Sequence, residues 1–116
     1  MKTSSAKNKG RSLQKLMVKA IRETFPELTE HDVRSTSMGA PGVDILLSSA
    51  GLKRFGWSVE CKNYAKMAVY GLYNQALENR LEGTKPLLVI KQNRSDPLVV
   101  LSLKDFMDVC KQSSRD

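Results

Sequence analysis

One histidine, two cysteines, one tryptophan and four prolines are all that 116 residues hold of these types. Cys61 and Cys110 are too few for a disulfide framework, and with a single histidine they cannot complete a zinc cluster. Both are expected to be reduced, buried and hydrophobic in behaviour. His31 stands in a Thr-Glu-His-Asp connector, which suits a local cap and argues against hydrolysis built on a histidine base. No window approaches the roughly 18 apolar residues of a membrane span, and no export-signal core follows Met1. A cytoplasmic protein without a membrane partner is therefore expected. Repeats and low-complexity runs are absent too.

Positive charge is plentiful. Nineteen Lys and Arg against twelve Asp and Glu give +7, while the 41% hydrophobic and 27% charged shares are those of an ordinary globular chain. The length suits one domain with one core. A small basic domain suits a polyanionic partner, because neutralising phosphates releases counterions. A merely cationic, soluble surface is the alternative that charge alone leaves open.

Residues 1–11 carry Lys2, Lys7, Lys9 and Arg11 with no acid and little apolar content, the composition of a flexible basic arm. Ser12 then reads as an N-cap for a helix with Leu13, Leu16, Met17, Ala20, Ile21 and Phe25 on one face, closed by Pro26. A connector, Glu27 to Asp32, precedes a strand over Val33–Met38 and a Gly39-Ala40-Pro41-Gly42 turn. Val43–Ser48 and Phe55–Lys62 read as two strands of a hairpin or meander, turned by Ser49–Arg54. A helix over Lys66–Leu81 packs Val69, Leu72, Tyr73, Ala76 and Leu77, with Gly83 as its stop. Tyr70 and Tyr73 are expected to be packing aromatics. Strands follow at Leu87–Ile90, opened by Pro86, and at Leu98–Leu101, then a helix over Ser102–Cys110 and a polar tail, 111–116. The expected order is α-β-β-β-α-β-β-α, with a single domain over 12–110.

Chemistry concentrates at Asp44, Glu60 and Lys62. Alternation along a strand puts Glu60 and Lys62 on one face, and Asp44 opposes its apolar neighbours Val43 and Ile45. Two carboxylates, a backbone carbonyl and waters supply the hard oxygen ligands that Mg²⁺ takes. A lysine beside them can hold or help deprotonate the attacking water and offset charge on a phosphorane. A Glu60–Lys62 surface pair with a solvent-facing Asp44 is the plainer alternative. Arg34, Lys53, Arg54, Lys66, Lys91 and Arg94 fall in turns or near strand ends, where they could grip phosphates beside Lys9 and Arg11 of the arm.

With PGVDILLS, FGWSVECKN and a following helix bearing Gln75, the chain resembles the PD-(D/E)xK nuclease superfamily from about Lys9 to Val109. The nearest likeness is to small Holliday-junction resolvases and phage endonucleases. The resemblance implies a restriction-endonuclease-like α/β fold, an α-β-β-β-α-β core with a central mixed sheet flanked by helices. It also implies Mg²⁺- or Mn²⁺-dependent hydrolysis of DNA to 5′-phosphate and 3′-hydroxyl ends, by a homodimer in the resolvase case. Asp44, Glu60 and the Cys61 carbonyl would ligate metal, Lys62 would serve the water, and Gln75 would orient the lysine or touch DNA. Where relatives often carry a helix-1 glutamate, this chain has Gln14, in register with Val18, Ile21 and Phe25. A sequence-specific or nicking endonuclease and a non-catalytic nucleic-acid-binding protein of the same fold are the competing expectations.

Overall fold

The structure is a computed structural model that describes residues 3–37 and 40–114. Helix α1 (Thr3–Thr24) leads into a short hairpin of β1 (Val33–Ser35) and β2 (Ile45–Leu47). Helix α2 (Ser49–Arg54), strand β3 (Trp57–Asn63) and helix α3 (Val69–Asn79) follow. Strands β4 (Lys85–Lys91) and β5 (Leu98–Val100) and helix α4 (Leu103–Ser114) complete the chain.

This is an α/β fold with a mixed three-stranded sheet in the order β3-β4-β5. The β3–α3–β4 crossover makes β3 and β4 parallel, with Trp57 opposite Lys85 and Asn63 opposite Lys91, and β5 runs antiparallel to β4. The expected pairing of Val43–Ser48 with Phe55–Lys62 is corrected: β2 pairs with β1, Val33 opposite Leu47, in a sheet of its own. One bond, Asp44 N–H to the Val59 carbonyl at 2.9 Å, carries the main chain across to β3. Leu13 and Ile21 of α1, Val33, Ile45, Val59, Cys61, Leu87 and Val89 are buried together as the core. Burying such a branched or aliphatic side chain contributes about 1.5–3 kcal/mol. On the opposite face of β3 and β4, Leu88 and the α3 residue Ala76 are buried.

Several expected boundaries move. Residues 3–11 are not an arm but the first turns of α1, and Ser12 lies inside the helix. The Asn63 side-chain amide donates to the Lys9 carbonyl at 3.4 Å, a tertiary tie that composition does not reveal. Adding turns to an existing helix also avoids a second nucleation cost. The Ser49–Arg54 turn is helical: Ser48 caps it by accepting from Gly51 N–H at 3.1 Å and donates to Asp32 Oδ1 at 2.7 Å. Capping near His31 falls to Asp32, which accepts from Thr29 N–H at 2.8 Å. The tail is helical to Ser114, Pro86 is the second residue of its strand, and β1 stops at Ser35. Cys110 and Tyr70 are exposed where burial and packing were expected, whereas Cys61 is buried. No described helix is long and apolar enough to cross a membrane.

Candidate active site

Asp44 sits one residue before β2, just after the bend at Pro41–Gly42, where Gly42 takes φ +90, a value costly for any residue with a Cβ. Its backbone is held on both edges. The carbonyl accepts from Thr36 N–H at 2.9 Å and the N–H donates to Val59. The carboxylate Oδ2 then accepts from Cys61 N–H at 2.7 Å, a short charge-assisted bond across to β3. A strand residue's N–H and C=O point to the same side, so the Cys61 carbonyl also faces the Asp44 edge, away from β4.

Glu60 lies on the alternate face of β3 and is only 6% exposed. Its Oε2 is 3.4 Å from Lys62 Nζ and its Oε1 accepts from Asn79 Nδ2 at 3.4 Å. Strand alternation brings Glu60 and Lys62 together, and the end of α3 delivers Asn79. From the other side Lys7, Gly10 and Gln14 arrive on successive turns of α1. These groups bound one pocket of about 420 Å³, with Asp44, Asn63 and Tyr64 among its walls. Gln14 is 5% exposed, and its side-chain Oε1 has no hydrogen-bond partner. A buried acceptor left bare costs about 1–3 kcal/mol unless a ligand or water satisfies it.

The electrostatics are those of a site short of positive charge. Burial, helped by the neighbouring Glu60 carboxylate, raises Asp44 to about 6 against the opposing pull of the Cys61 N–H and Lys62. Burial alone would lower Lys62, but Tyr64, Glu60 and Asp44 outweigh it and its pKa is raised, so it stays an ammonium. Burial drives the Cys61 thiol upward, with Asp44 and Glu60 adding to it, which favours the neutral thiol over the thiolate.

A hard divalent cation fits this donor set. Two carboxylates that repel each other, a bare amide oxygen and a backbone carbonyl on one edge are all oxygen ligands. Among the described residues no three His, Cys, Asp or Glu side chains cluster to hold a metal, so neutral oxygens and water would complete the shell.

Of the other expected residues, Gln75 is exposed on α3 and does not line the pocket; Asn79, one turn on, is the α3 residue that does. Arg54 is engaged elsewhere, 2.7 Å from Glu27 and 4.7 Å above the Phe25 ring. Lys9 and Lys91 border a smaller adjoining cavity with Asn63. Arg11, Arg34, Lys53, Lys66 and Arg94 are exposed outside the pocket. Lys7, Asn63, Tyr64 and Asn79 were not singled out from sequence. The spacing of Lys7, Gly10 and Gln14 was the signal that α1 begins earlier. No protein-family model, curated protein or solved structure matches the chain.

Proposed function

We propose that this protein is a Mg²⁺- or Mn²⁺-dependent DNA endonuclease of the PD-(D/E)xK kind, acting on branched or duplex DNA. One observation carries the reading: Asp44, Glu60 and Lys62 converge in a pocket with the bare oxygen of Gln14. The succession α1, β1, β2, β3, α3, β4 supports a restriction-endonuclease-like core into which α2 is inserted. In that reading the Asp44–Val59 bond takes the place of a longer β2–β3 ladder.

Asp44, Glu60 and the Cys61 carbonyl would hold the cation, which supplies an acidified water and neutralises phosphate charge. The protein's own groups do the rest. Cys61 N–H fixes the Asp44 carboxylate, and Asn79 and Lys62 hold Glu60 from two sides. The Lys62 ammonium donates to the attacking water and to the oxygens that gain charge as the water oxygen bonds to phosphorus. The water gives up one proton to solvent as it attacks, the bond from phosphorus to the 3′ oxygen breaks, and that oxygen takes a proton from solvent, leaving a 5′-phosphate and a 3′-hydroxyl. Gln14 accepts a hydrogen bond from water in the pocket, and Lys7 attracts the backbone into it.

The test is incubation of a four-way junction, a matched linear duplex and supercoiled plasmid with Mg²⁺, Mn²⁺ or chelator. Glu60→Ala and Lys62→Ala are run alongside. Metal-dependent nicking that both variants lose supports the proposal, and cutting of the junction alone assigns a resolvase. Tight DNA binding with no cleavage in either metal overturns the enzymatic reading in favour of a binding protein.

A further inference from the structure

Helix α1 carries more net positive charge than the rest of the chain together. From Lys7 to Thr24 six Lys and Arg stand against one acid, Glu23, a net of +5 out of +7 for the whole protein. Five of the six are set in a row: Lys7, Arg11, Lys15 and Lys19 at four-residue steps, then Arg22 three further on. At 3.6 residues per turn these positions fall within an arc of about 120°. All five are exposed. At 1.5 Å per residue the row is about 22 Å long. It starts at the candidate active site, since Lys7 stands in the wall of that pocket, and it ends with Arg22 in the last turn of the helix.

Such a row works against the helix that bears it. Like charges four residues apart repel, and Lys7–Arg11, Arg11–Lys15 and Lys15–Lys19 are three such pairs in succession. Among the described residues only Lys19 of the row meets a carboxylate, Glu23 at 3.8 Å, with both side chains largely in water. Elsewhere the cations are answered: Arg54 by Glu27, Lys62 by Glu60, Lys85 and Lys104 by Asp108. The repulsion along α1 is what a bound polyanion would relieve.

We propose that the arm of duplex DNA flanking the scissile phosphate lies along this face of α1, its backbone held from Lys7 to Arg22. Resting on the nuclease reading, this fixes which way the DNA leaves the pocket and how much of it the protein needs. A duplex rises 3.4 Å per base pair, so the row reaches about six base pairs from the cut. The chemistry of the face selects this occupant. No aromatic residue lies in α1 to stack the bases of a single strand. Leu16 is the one large hydrophobic exposed on it among the described residues, too little to anchor an acidic peptide. The apolar side of the helix, with Leu13 and Ile21, is taken up by the core and has nothing left to enter a lipid surface. Contacts to phosphate alone position the duplex without reading its sequence.

The experiment is fluorescence anisotropy with a labelled linear duplex over a range of salt, in Ca²⁺ to prevent cutting. It compares the native chain with a triple variant, Lys15→Ala, Lys19→Ala and Arg22→Ala. None of the three lines the pocket, and circular dichroism verifies that the variant folds. The slope of log affinity against log salt should fall by about 3, close to one counterion for each cation removed. Lys15→Arg, Lys19→Arg and Arg22→Lys together should keep the native slope. In parallel an aryl azide is attached to Arg22→Cys and, separately, to Lys111→Cys on α4, both with Cys110→Ser because that thiol is exposed. Light should cross-link the duplex to the first and not to the second. A native slope in the folded alanine variant overturns the proposal, as does bound DNA that fails to cross-link at position 22 or does so equally from position 111. So does a native protein that prefers single strands, or that sediments with phosphatidylserine vesicles and leaves the duplex free. Neither readout needs cleavage, so DNA held along α1 by a protein that cuts nothing would count against the nuclease reading alone.

Discussion

The Asp44 carboxylate accepts a 2.7 Å hydrogen bond from the backbone N–H of Cys61, so one side chain serves both the join between two sheets and the candidate metal site. The two duties pull against each other. Burial and Glu60 raise Asp44 to about 6 from an ordinary 3.8, while Cys61 N–H favours the charged form. Between those two pH values the folded chain binds more protons at this site than the unfolded chain. Stability due to Asp44 is therefore fully present near pH 4, falls as pH rises toward 6, and levels off above. Asp32 and Asp108, whose pKa values are lowered, run the other way and lose stability as pH falls. Urea midpoints of native protein and Asp44→Asn at several pH values isolate the site: the difference between them should change between pH 4 and 6 and be flat above. Mg²⁺ should stabilise only the native protein. Asp44→Ala, which leaves the Cys61 N–H without its acceptor, should cost about 1–3 kcal/mol near pH 4 and less as the pH rises toward 6.

Lys62 is the second testable group. Its Nζ is 3.4 Å from a Glu60 carboxylate that is almost wholly buried, so Lys62→Ala removes the cation and leaves that carboxylate with the weak Asn79 contact. The expected loss without metal is about 1–3 kcal/mol, most of it restored by Mg²⁺, because the charge left behind is what a cation would neutralise. Cleavage should fall by about 10²–10³ if the ammonium stabilises developing charge. Lys62→Arg should not rescue it, since a planar guanidinium cannot take the place of a compact ammonium in this pocket. Single-turnover rates and metal-dependent melting separate the two effects.

Gly51 shows why part of the fold was not legible. Six residues including a glycine read as a turn, yet Ser48 caps them and the helix packs so closely that a Cβ at Gly51 would stand 2.7 Å from the Asp32 carbonyl and 3.2 Å from Leu47 Cβ. Gly51→Ala should therefore destabilise by about 1–3 kcal/mol, although alanine is the better helix former by about 1 kcal/mol. The check is a lower urea midpoint at unchanged slope. Local alternation was sufficient for Glu60 and Lys62, because two positions on one strand share a face whatever surrounds them. The bend at Pro41–Gly42 and the inward Gln14 were likewise written locally. Asn79 was not, since its entry depends on where α3 crosses β3, and neither was the pairing of β2 with β1. The basic start of α1 was hidden because composition describes a segment alone, while Asn63 ties this one down from the end of β3.

Lys7 and Arg54 give the sharpest contrast among the basic residues. Lys7 was hidden in an expected arm, but it lines the pocket beside Gln14. Arg54 was expected to meet DNA, but it is 2.7 Å from Glu27 and stacked on Phe25. Lys7→Ala should weaken binding of every DNA substrate and reduce the slope of log affinity against log salt by about 1, the release of roughly one counterion. Folding should be unaffected, since the side chain is exposed. Arg54→Ala should do the reverse. Its ion pair is exposed and contributes little, but stacking on Phe25 adds to it, so a loss of about 0.5–1 kcal/mol in stability is expected with no change in salt slope. Fluorescence anisotropy with a labelled duplex at four salt concentrations, in Ca²⁺ to prevent cutting, measures both slopes. Equal slopes for native protein and Lys7→Ala would remove Lys7 from the DNA path and turn attention to Lys9 and Lys91, which border the adjoining cavity.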